Sequence, residues 1–233
     1  MSIADKLTTI AENVPKVYDA GKKSQYDEFW DAYQNYGNRT VYAYRFAGNW
    51  ASALFRPKYP IKLRADNTSG IGMFLCFGNP DDALDWRNVA DMIDVSPTTK
   101  AANMFDSANI NYIDVDLSNA IDLTRCFAGG TQTSTPTHIT VKISEKATTF
   151  TGMFSNRPTL THLFFKEGSV IGGNLSLSTC NLLVYDSIMS VINALKDYSG
   201  TSTTRTLTLH ATAKAKLTES DIAEITQKGW TLA

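Results

Sequence analysis

Residues 101–115 read Ala-Ala-Asn-Met-Phe-Asp-Ser-Ala-Asn-Ile-Asn-Tyr-Ile-Asp-Val, and the features of this stretch return along the middle of the chain. A methionine or cysteine precedes phenylalanine at Met73-Phe74, Met104-Phe105, Cys126-Phe127 and Met153-Phe154. Self-similarity at intervals of about 20–30 residues is typical of a solenoid, in which no unit buries its apolar face alone. The pattern therefore predicts stacked coils with the phenylalanines in a buried column.

A short apolar doublet recurs between these pairs and alternates with polar residues. When Ile93, Ile113, Val141 and Leu163 are taken as equivalent positions, the intervals are 20, 28 and 22 residues. Each doublet predicts a short strand, because alternation and β-branched side chains suit a half-buried strand. The longest interval contains Gly129–Thr137, whose turn-forming residues predict a loop insertion.

The pattern resembles the BspA-like leucine-rich-repeat family, most closely at residues 101–115 and from Phe150 through Leu163. The resemblance covers about residues 70–180, with irregular spacing and frequent replacement of leucine. Versions encoded in prophages of gut-type Gram-positive bacteria look similar at both chain ends. The resemblance implies an α/β fold, a leucine-rich-repeat solenoid with one short strand per coil. It also implies a phage tail-associated or surface-exposed recognition protein, and the family offers no catalytic residues to transfer.

Four regions are expected along the chain. They are an N-terminal helix or short coiled coil at 1–37, an aromatic-rich N-terminal cap at 38–72, the irregular repeat at 73–184 and a C-terminal α/β cap at 185–233.

The first region has apolar residues at alternating steps of four and three, as in a heptad pattern. These residues are Ile3, Leu7, Ile10, Val14 and Val17. Pro15 interrupts the pattern and predicts a kink or break. Self-association through this helix, for example as a trimer, is the favoured interpretation, and a cap over the first coil is the alternative.

Residues 38–72 combine aromatic side chains with a local excess of cations, including Arg45, Trp50 and Arg56. Such a mixture can bind sugar polymers or nucleic acid by stacking and charge. Terminal coils of a solenoid also need covering, so capping is the favoured interpretation.

The C-terminal region predicts a helix–strand–helix–strand order. Ile188, Val191, Ile192 and Leu195 follow helical spacing, with Asp186 or Ser187 as N-cap and Ser199-Gly200 as the stop. Strands are expected at Thr206–Leu209 and Trp230–Leu232. The last helix is expected to begin near Thr218, with Asp221 completing a capping box, and to end at Lys228-Gly229.

Composition narrows the classes of partner. Apolar residues make up 43% of the 233 residues and charged residues 19%, which is ordinary for a folded domain. The net charge of −1 argues against nucleic acid as the main partner. No apolar run is long enough for a membrane span, and no signal-peptide pattern opens the chain. Cys76, Cys126 and Cys180 are far apart, which argues against a disulfide framework or zinc site and favours a buried thiol at Cys126.

Acidic residues supply the remaining candidates for a site. Asp114 and Asp116 fall on one side of a strand and could chelate calcium, but the glycine and glutamate of a calcium loop are missing. Asp94 is expected to recur at the Asp114 position, in a ladder of carboxylates that accept backbone donors. An enzyme acting on wall polysaccharide would need a pair of carboxylates in a cleft, and Asp82 and Asp85 are the only weak candidates for that pair. The histidines, at 138, 162 and 210, lack metal-binding spacing.

The sequence thus favours a non-enzymatic binding or structural protein with no cofactor, metal or catalytic residue. The expected binding surface is the strand face with loops Asn79–Arg87 and Gly129–Thr137. Its candidate residues are Arg45, Trp50, Arg56, Asp82, Asp85, Trp86, Asp114 and Asp116. The expected partner is a protein or cell-surface glycan, and the expected location is a virion or a bacterial cell surface. A bacterial adhesin-like protein that binds host protein or glycan is the alternative.

Overall fold

Parallel pairing relates the strands of this molecule. The computed structural model describes residues 61–62, 74, 83–129 and 136–233, so the predictions for 1–37 and nearly all of those for 38–72 lie outside the described residues. The described strands form three parallel sheets, with helices in the C-terminal part, which confirms the α/β class.

The elements are short and follow one another closely. The strands are β1 (Ile61–Lys62), β2 (Leu84–Asp85), β3 (Ile93–Asp94), β4 (Ile110–Asp116), β5 (His138–Lys142), β6 (His162–Phe165), β7 (Leu175–Leu177), β8 (Arg205–Leu209) and β9 (Trp230–Leu232). The helices are α1 (Tyr185–Ala194), α2 (Ala211–Lys214) and α3 (Glu219–Gln227), and a single 3₁₀ turn spans Trp86–Asn88. The sheets pair in the orders β1-β3, β2-β4-β5-β6 and β7-β8-β9.

The central sheet, β2-β4-β5-β6, corrects the predicted equivalence of the doublets. Ile113 pairs with Ile139, and Ile139 pairs with Leu163, at intervals of 26 and 24 residues. Val141 therefore pairs with Val115, two residues beyond the predicted partner Ile113. Ile93 belongs to a different sheet, where it pairs with Ile61. The doublets do form strands as predicted, and alternate side chains of β4, β5 and β6 are buried.

A column of stacked phenylalanines runs beside this sheet, as predicted. Phe74, Phe105, Phe127 and Phe154 are fully buried, and successive ring centroids lie 5.1, 5.5 and 5.6 Å apart with planes within 7° of parallel. Backbone bonds follow the same order: Phe105 N–H donates to the Cys126 carbonyl at 2.8 Å, and Phe127 N–H to Met153 at 2.9 Å. The rings thus stack where the turns are already joined by hydrogen bonds.

The turn before each ring has a left-handed residue. Asn103, Arg125 and Gly152, each directly before Met104, Cys126 or Met153, have φ of 54°, 52° and 61°. Asparagine and glycine tolerate this region best. Arg125 also forms an ion pair with Asp106 across neighbouring turns, at 2.9 Å.

A buried cation ties three turns together. The Arg157 guanidinium donates to the Phe127 carbonyl at 2.7 Å, to Ala128 at 2.8 Å and to Phe105 at 3.3 Å. Burial lowers the pKa of Arg157 to about 10, so the side chain remains a cation at neutral pH. These carbonyls lie at the end of the turns. Without Arg157 they would be buried with fewer hydrogen-bond donors.

Helix α1 covers the far edge of the central sheet. Ser187 Oγ accepts the Leu163 N–H, and Ser190 Oγ accepts the Phe165 N–H, both at 2.9 Å. These hydroxyls replace the acceptors that a further strand would have supplied. The helix is confirmed, but its predicted ends are wrong, since Val184 is the N-cap and the helix ends at Ala194.

The C-terminal elements follow the prediction closely. Strand β8, helix α3 and strand β9 are all present, and α2 is an addition that the sequence did not suggest. Thr218 and Asp221 form the predicted capping box, in which Asp221 N–H donates to Thr218 Oγ1 at 3.2 Å and Thr218 N–H to Asp221 at 2.8 Å. Gly229 follows α3 with φ of 78°, as a left-handed C-terminal residue should.

The phenylalanine column is expected to dominate stability. Replacing Phe127 with alanine removes a fully buried ring between two stacked neighbours. We expect the free energy of unfolding to fall by about 3–5 kcal/mol, and by about 1–3 kcal/mol for leucine, which refills part of the volume. Urea denaturation measures both losses. Phe164→Ala, at a partly exposed position, is the control, and a Phe127→Ala loss no larger than the control's would contradict the assignment.

Candidate functional site

The side of β4, β5 and β6 that is not buried carries three rows of side chains that are partly or fully exposed. We call this side the outward face. Its first row contains Tyr112, His138 and His162, and its second contains Asp114, Thr140 and Phe164. Asp116 and Lys142 begin the third row. Strand pairing sets these rows, because side chains at paired positions of parallel strands lie side by side.

A line of stacked rings occupies this face. Tyr112 and His138 have ring centroids 5.2 Å apart with planes 16° from parallel, and His138 and His162 have centroids 4.1 Å apart with planes 5° from parallel. Phe164 lies 6.1 Å from His162, tilted by 41°. We call these four side chains the ring row. The faces of the His138 ring therefore contact its neighbours in the row. The edges of the rings are the parts that can contact other groups.

Arg87 closes one end of the ring row. Its guanidinium carbon lies 4.2 Å from the Tyr112 ring centroid, in a cation–π contact. Arg87 also forms a bidentate ion pair with Asp85, whose side chain accepts the Arg87 backbone N–H at 2.9 Å. The hydrogen bonds from the Arg87 guanidinium hold the pKa of Asp85 below its usual value. Asp85 therefore orients a cation and is ionised at neutral pH.

A threonine hydroxyl contacts the Nδ1 atom of each histidine in the ring row. Thr161 Oγ1 donates its hydrogen to the Thr137 carbonyl at 2.9 Å and lies 2.8 Å from His162 Nδ1. Since a hydroxyl has one hydrogen, His162 Nδ1 must donate to Thr161. Thr137 Oγ1 lies 2.9 Å from His138 Nδ1 and 3.4 and 3.5 Å from two Asn111 oxygens. Both threonines therefore orient the histidine rings through Nδ1.

The surroundings of His138 disfavour its charged form. Burial first, then the charges of His162 and Arg87, lowers the pKa of His138 below its ordinary value of 6.5. The neutral form of His138 is thereby favoured at neutral pH.

The acidic candidates have identifiable roles. Asp114 pairs with Lys166, which directly follows β6, and Asp116 Oδ1 accepts the Ser118 N–H at 2.8 Å. Asp94 makes the same bond to Ser96 N–H at 2.9 Å. Asp94 therefore corresponds to Asp116, and the predicted match with Asp114 is wrong by two residues. Within the described residues, no group of three or more histidine, cysteine or acidic side chains is arranged to hold a metal ion.

Of the other predicted site residues, the structure describes only Trp86 and Asp85. Trp86 is 1% exposed and packs edge-on against Phe74 and Phe105, so it belongs to the core and not to a binding surface. Asp85 does lie beside the outward face. Arg45, Trp50, Arg56 and Asp82 are outside the described residues, as are positions 79–82 of loop Asn79–Arg87 and positions 130–135 of loop Gly129–Thr137.

The sequence analysis missed the ring row itself. His138 and His162 are 24 residues apart, which is the interval of the β5–β6 pairing. A register with Ile139 opposite Leu163 would have brought the two rings together, whereas the predicted register placed Thr140 opposite His162. The signal was present as a polar residue directly before each apolar doublet.

A cleft of about 480 Å³ adjoins the row beyond Phe164, between β6 and α1. Its lining includes Phe164, Lys166, Asp186, Met189 and Asn193. It extends the outward face toward the C-terminal part with a mixture of apolar and charged groups.

Comparisons with known proteins add no assignment. No family model matches the chain, and no significant match is found among curated proteins or solved structures. Among the described residues, none of the helices has the length and apolar character needed to cross a membrane.

His138 predicts a pH dependence of stability. Because the pKa of folded His138 is lowered, the unfolded chain binds more protons near and below pH 6.5. The free energy of unfolding should stay constant above pH 6.5. It should decline as the pH falls from 6.5 through the pKa of His138 in the folded protein. Urea titrations across this range should show a shallower decline for His138→Gln than for wild type.

The control is His210→Gln, which removes the histidine that caps α2 through Thr212. If both variants decline as steeply as the wild type, the predicted coupling within the ring row is wrong.

Proposed function

We propose that this protein is a non-enzymatic binding protein whose central part is a leucine-rich-repeat-type solenoid and whose outward face contacts the partner. Parallel strands at intervals of 26 and 24 residues, the phenylalanine column and the hydrogen-bonded turns support the solenoid. Solenoids present one continuous strand surface, and such surfaces are commonly used for binding.

The ring row is the observation that carries the proposal. Aromatic side chains and arginine supply much of the energy at protein interfaces, and here Tyr112, Phe164 and Arg87 remain accessible beside charged pairs. The Asp85–Arg87 and Asp114–Lys166 pairs flank the rings and would add directional polar contacts. These carboxylates are engaged with cations, which favours recognition over acid–base catalysis.

The setting that we propose is a phage tail-associated or host-recognition protein, and this rests on the resemblance to the BspA-like family. The partner would be a protein or a cell-surface glycan. Self-association through residues 1–37 would add avidity, because linked copies bind a repetitive surface more tightly than one copy. The second candidate is a bacterial adhesin-like protein acting on host protein or glycan, which the same resemblance supports.

The test is binding of the full chain to purified cell walls from Gram-positive bacteria and to host matrix glycoproteins. Tyr112→Ala with Phe164→Ala should weaken binding at least about tenfold, since interface aromatics often contribute about 2 kcal/mol or more. Ile121→Ala, at a half-exposed position outside β4–β6, should leave binding unchanged. Urea denaturation confirms that each variant is folded.

Binding to walls that depends on the ring row supports the phage-type role, and binding to host glycoproteins that depends on it supports the adhesin-like role. Binding unaffected by the double substitution, or weakened equally by Ile121→Ala, would refute the outward face as the binding surface. Absence of binding to either preparation would contradict both candidate roles.

A further inference from the structure

The cleft between β6 and α1 exists because the central sheet ends against a helix. Ser187 and Ser190 accept the N–H groups of β6 at 2.9 Å, in the place of a further strand. Neighbouring strands lie about 4.8 Å apart, whereas a helix with its side chains is about 10–12 Å wide. The backbone of α1 therefore stands further from β6 than a strand would, and a cleft of about 480 Å³ remains beside Phe164.

One side of α1 lines this cleft. Asp186, Met189 and Asn193 are three and four residues apart, so they share one side of the helix. Asp186 and Asn193 are exposed, and Met189 is half-buried. Ile188 and Val191 are fully buried and fix the helix to the core. The helix thus presents an apolar group between two polar ones, on a rigid support.

Phe164 lines the cleft from the strand side and is partly exposed. Within the described part of the chain, its one ring contact is with His162, at 6.1 Å and a tilt of 41°. The face of an aromatic ring carries partial negative charge and attracts partly positive C–H hydrogens. A sugar ring has such C–H groups along one side. Phe164 and Met189 together therefore form an apolar surface on which a sugar ring can stack.

The polar side chains at the cleft are unused within the protein. Among the described residues, the side chains of Glu167, Asp186 and Asn193 make no hydrogen bond or ion pair. A carboxylate accepts hydrogen bonds, and an amide both donates and accepts them. Sugar hydroxyls also donate and accept, so these side chains are matched partners for a ligand rich in hydroxyl groups.

The charges around the cleft nearly cancel. Lys166 pairs with Asp114, and Lys142 Nζ lies next to the turn that follows β6. Two lysines and three carboxylates are then close together, with Glu167 and Asp186 as the other two acids. A strongly basic or acidic ligand is favoured by an excess of charge of the opposite sign, which this region lacks. A neutral ligand therefore fits better than a basic or an acidic peptide.

We propose that the cleft binds a neutral sugar ring of a cell-surface glycan. The C–H side of the ring lies on Phe164 and Met189, and its hydroxyls bond to Asp186 and Asn193. The cleft volume of about 480 Å³ is within the range of about 300–1,000 Å³ that is usual for small-molecule sites. This inference rests on the proposed function and narrows it, because it selects the glycan from the two partner classes.

Saturation-transfer nuclear magnetic resonance of the full chain tests the cleft directly. The probes are the methyl glycosides of glucose, galactose and N-acetylglucosamine, and sorbitol is the control for a polyol without a ring. We expect saturation of the C–H protons of at least one glycoside and none for sorbitol. Asp186→Ala with Asn193→Ala should weaken binding of that glycoside at least about tenfold, because both hydrogen-bonding groups are lost.

Glu219→Ala with Gln227→Ala is the matched control. Glu219 lies in the first turn of α3 as Asp186 lies in the first turn of α1, and Gln227 is an exposed helical amide away from the cleft. The control should leave glycoside binding unchanged. Urea denaturation of each variant separates lost binding from lost folding.

Periodate treatment of the cell walls and host glycoproteins separates this inference from the proposed function. Periodate cleaves the bond between neighbouring sugar hydroxyls, so binding of the full chain should be lost after treatment and kept after treatment with quenched reagent. Binding that survives periodate but is weakened by Tyr112→Ala with Phe164→Ala would overturn the glycan and leave a protein-binding outward face.

Two further results would overturn the sugar site. They are absence of saturation transfer to all three glycosides, and equal glycoside binding by the wild type and the Asp186→Ala, Asn193→Ala variant. Absence of binding to either untreated preparation contradicts the proposed function instead, since the glycoside measurement needs no partner preparation.

Discussion

Parallel stacking of successive turns is the constraint on which the rest of this structure depends. Phe105, Phe127 and Phe154 lie face to face, and the backbone bonds from Phe105 to Cys126 and from Phe127 to Met153 join the same turns. Each stacked pair adds about 0.5–1.5 kcal/mol beyond the burial of its surface. Because rings and backbone agree on one register, the strands that follow each turn are aligned without freedom to slide. The positions of His138 and His162 follow from that alignment.

The ends of the stacked turns show how buried polar groups are satisfied without further strands. Ser187 and Ser190 accept the free N–H groups of β6, and Arg157 donates to three carbonyls of two neighbouring turns. A backbone polar group buried without a partner costs about 1–3 kcal/mol. Replacing strand partners by side chains therefore lets a sheet end against a helix. It also leaves the outward face uncovered beside α1, where the cleft next to Phe164 lies.

Local patterns predicted the elements well and their alignment poorly. The capping box at Thr218, the left-handed Gly229 and the phenylalanine column all depend on residues close in sequence or on a clear repeat, and all were confirmed. The choice between Ile139 and Val141 as partner of Ile113 could not be made locally, because both are β-branched residues on the buried side of one strand. Pairing Val141 with Leu163 shifts β5 by two residues relative to β6. In that register Thr140 lies opposite His162, and the two histidines are not neighbours. Trp86 was assigned to the surface because its burial depends on Phe74 and Phe105, which lie in other turns.

The register of β5 and β6 is the central claim, and nuclear Overhauser contacts between histidine rings test it most directly. The chain has three histidines, so substitution of each in turn assigns their ring signals. The structure predicts a strong contact between the rings of His138 and His162, whose centroids are 4.1 Å apart. A contact from the His162 ring to the Thr140 side chain, with none to His138, would show the strands paired two residues out of this register and would contradict the ring row.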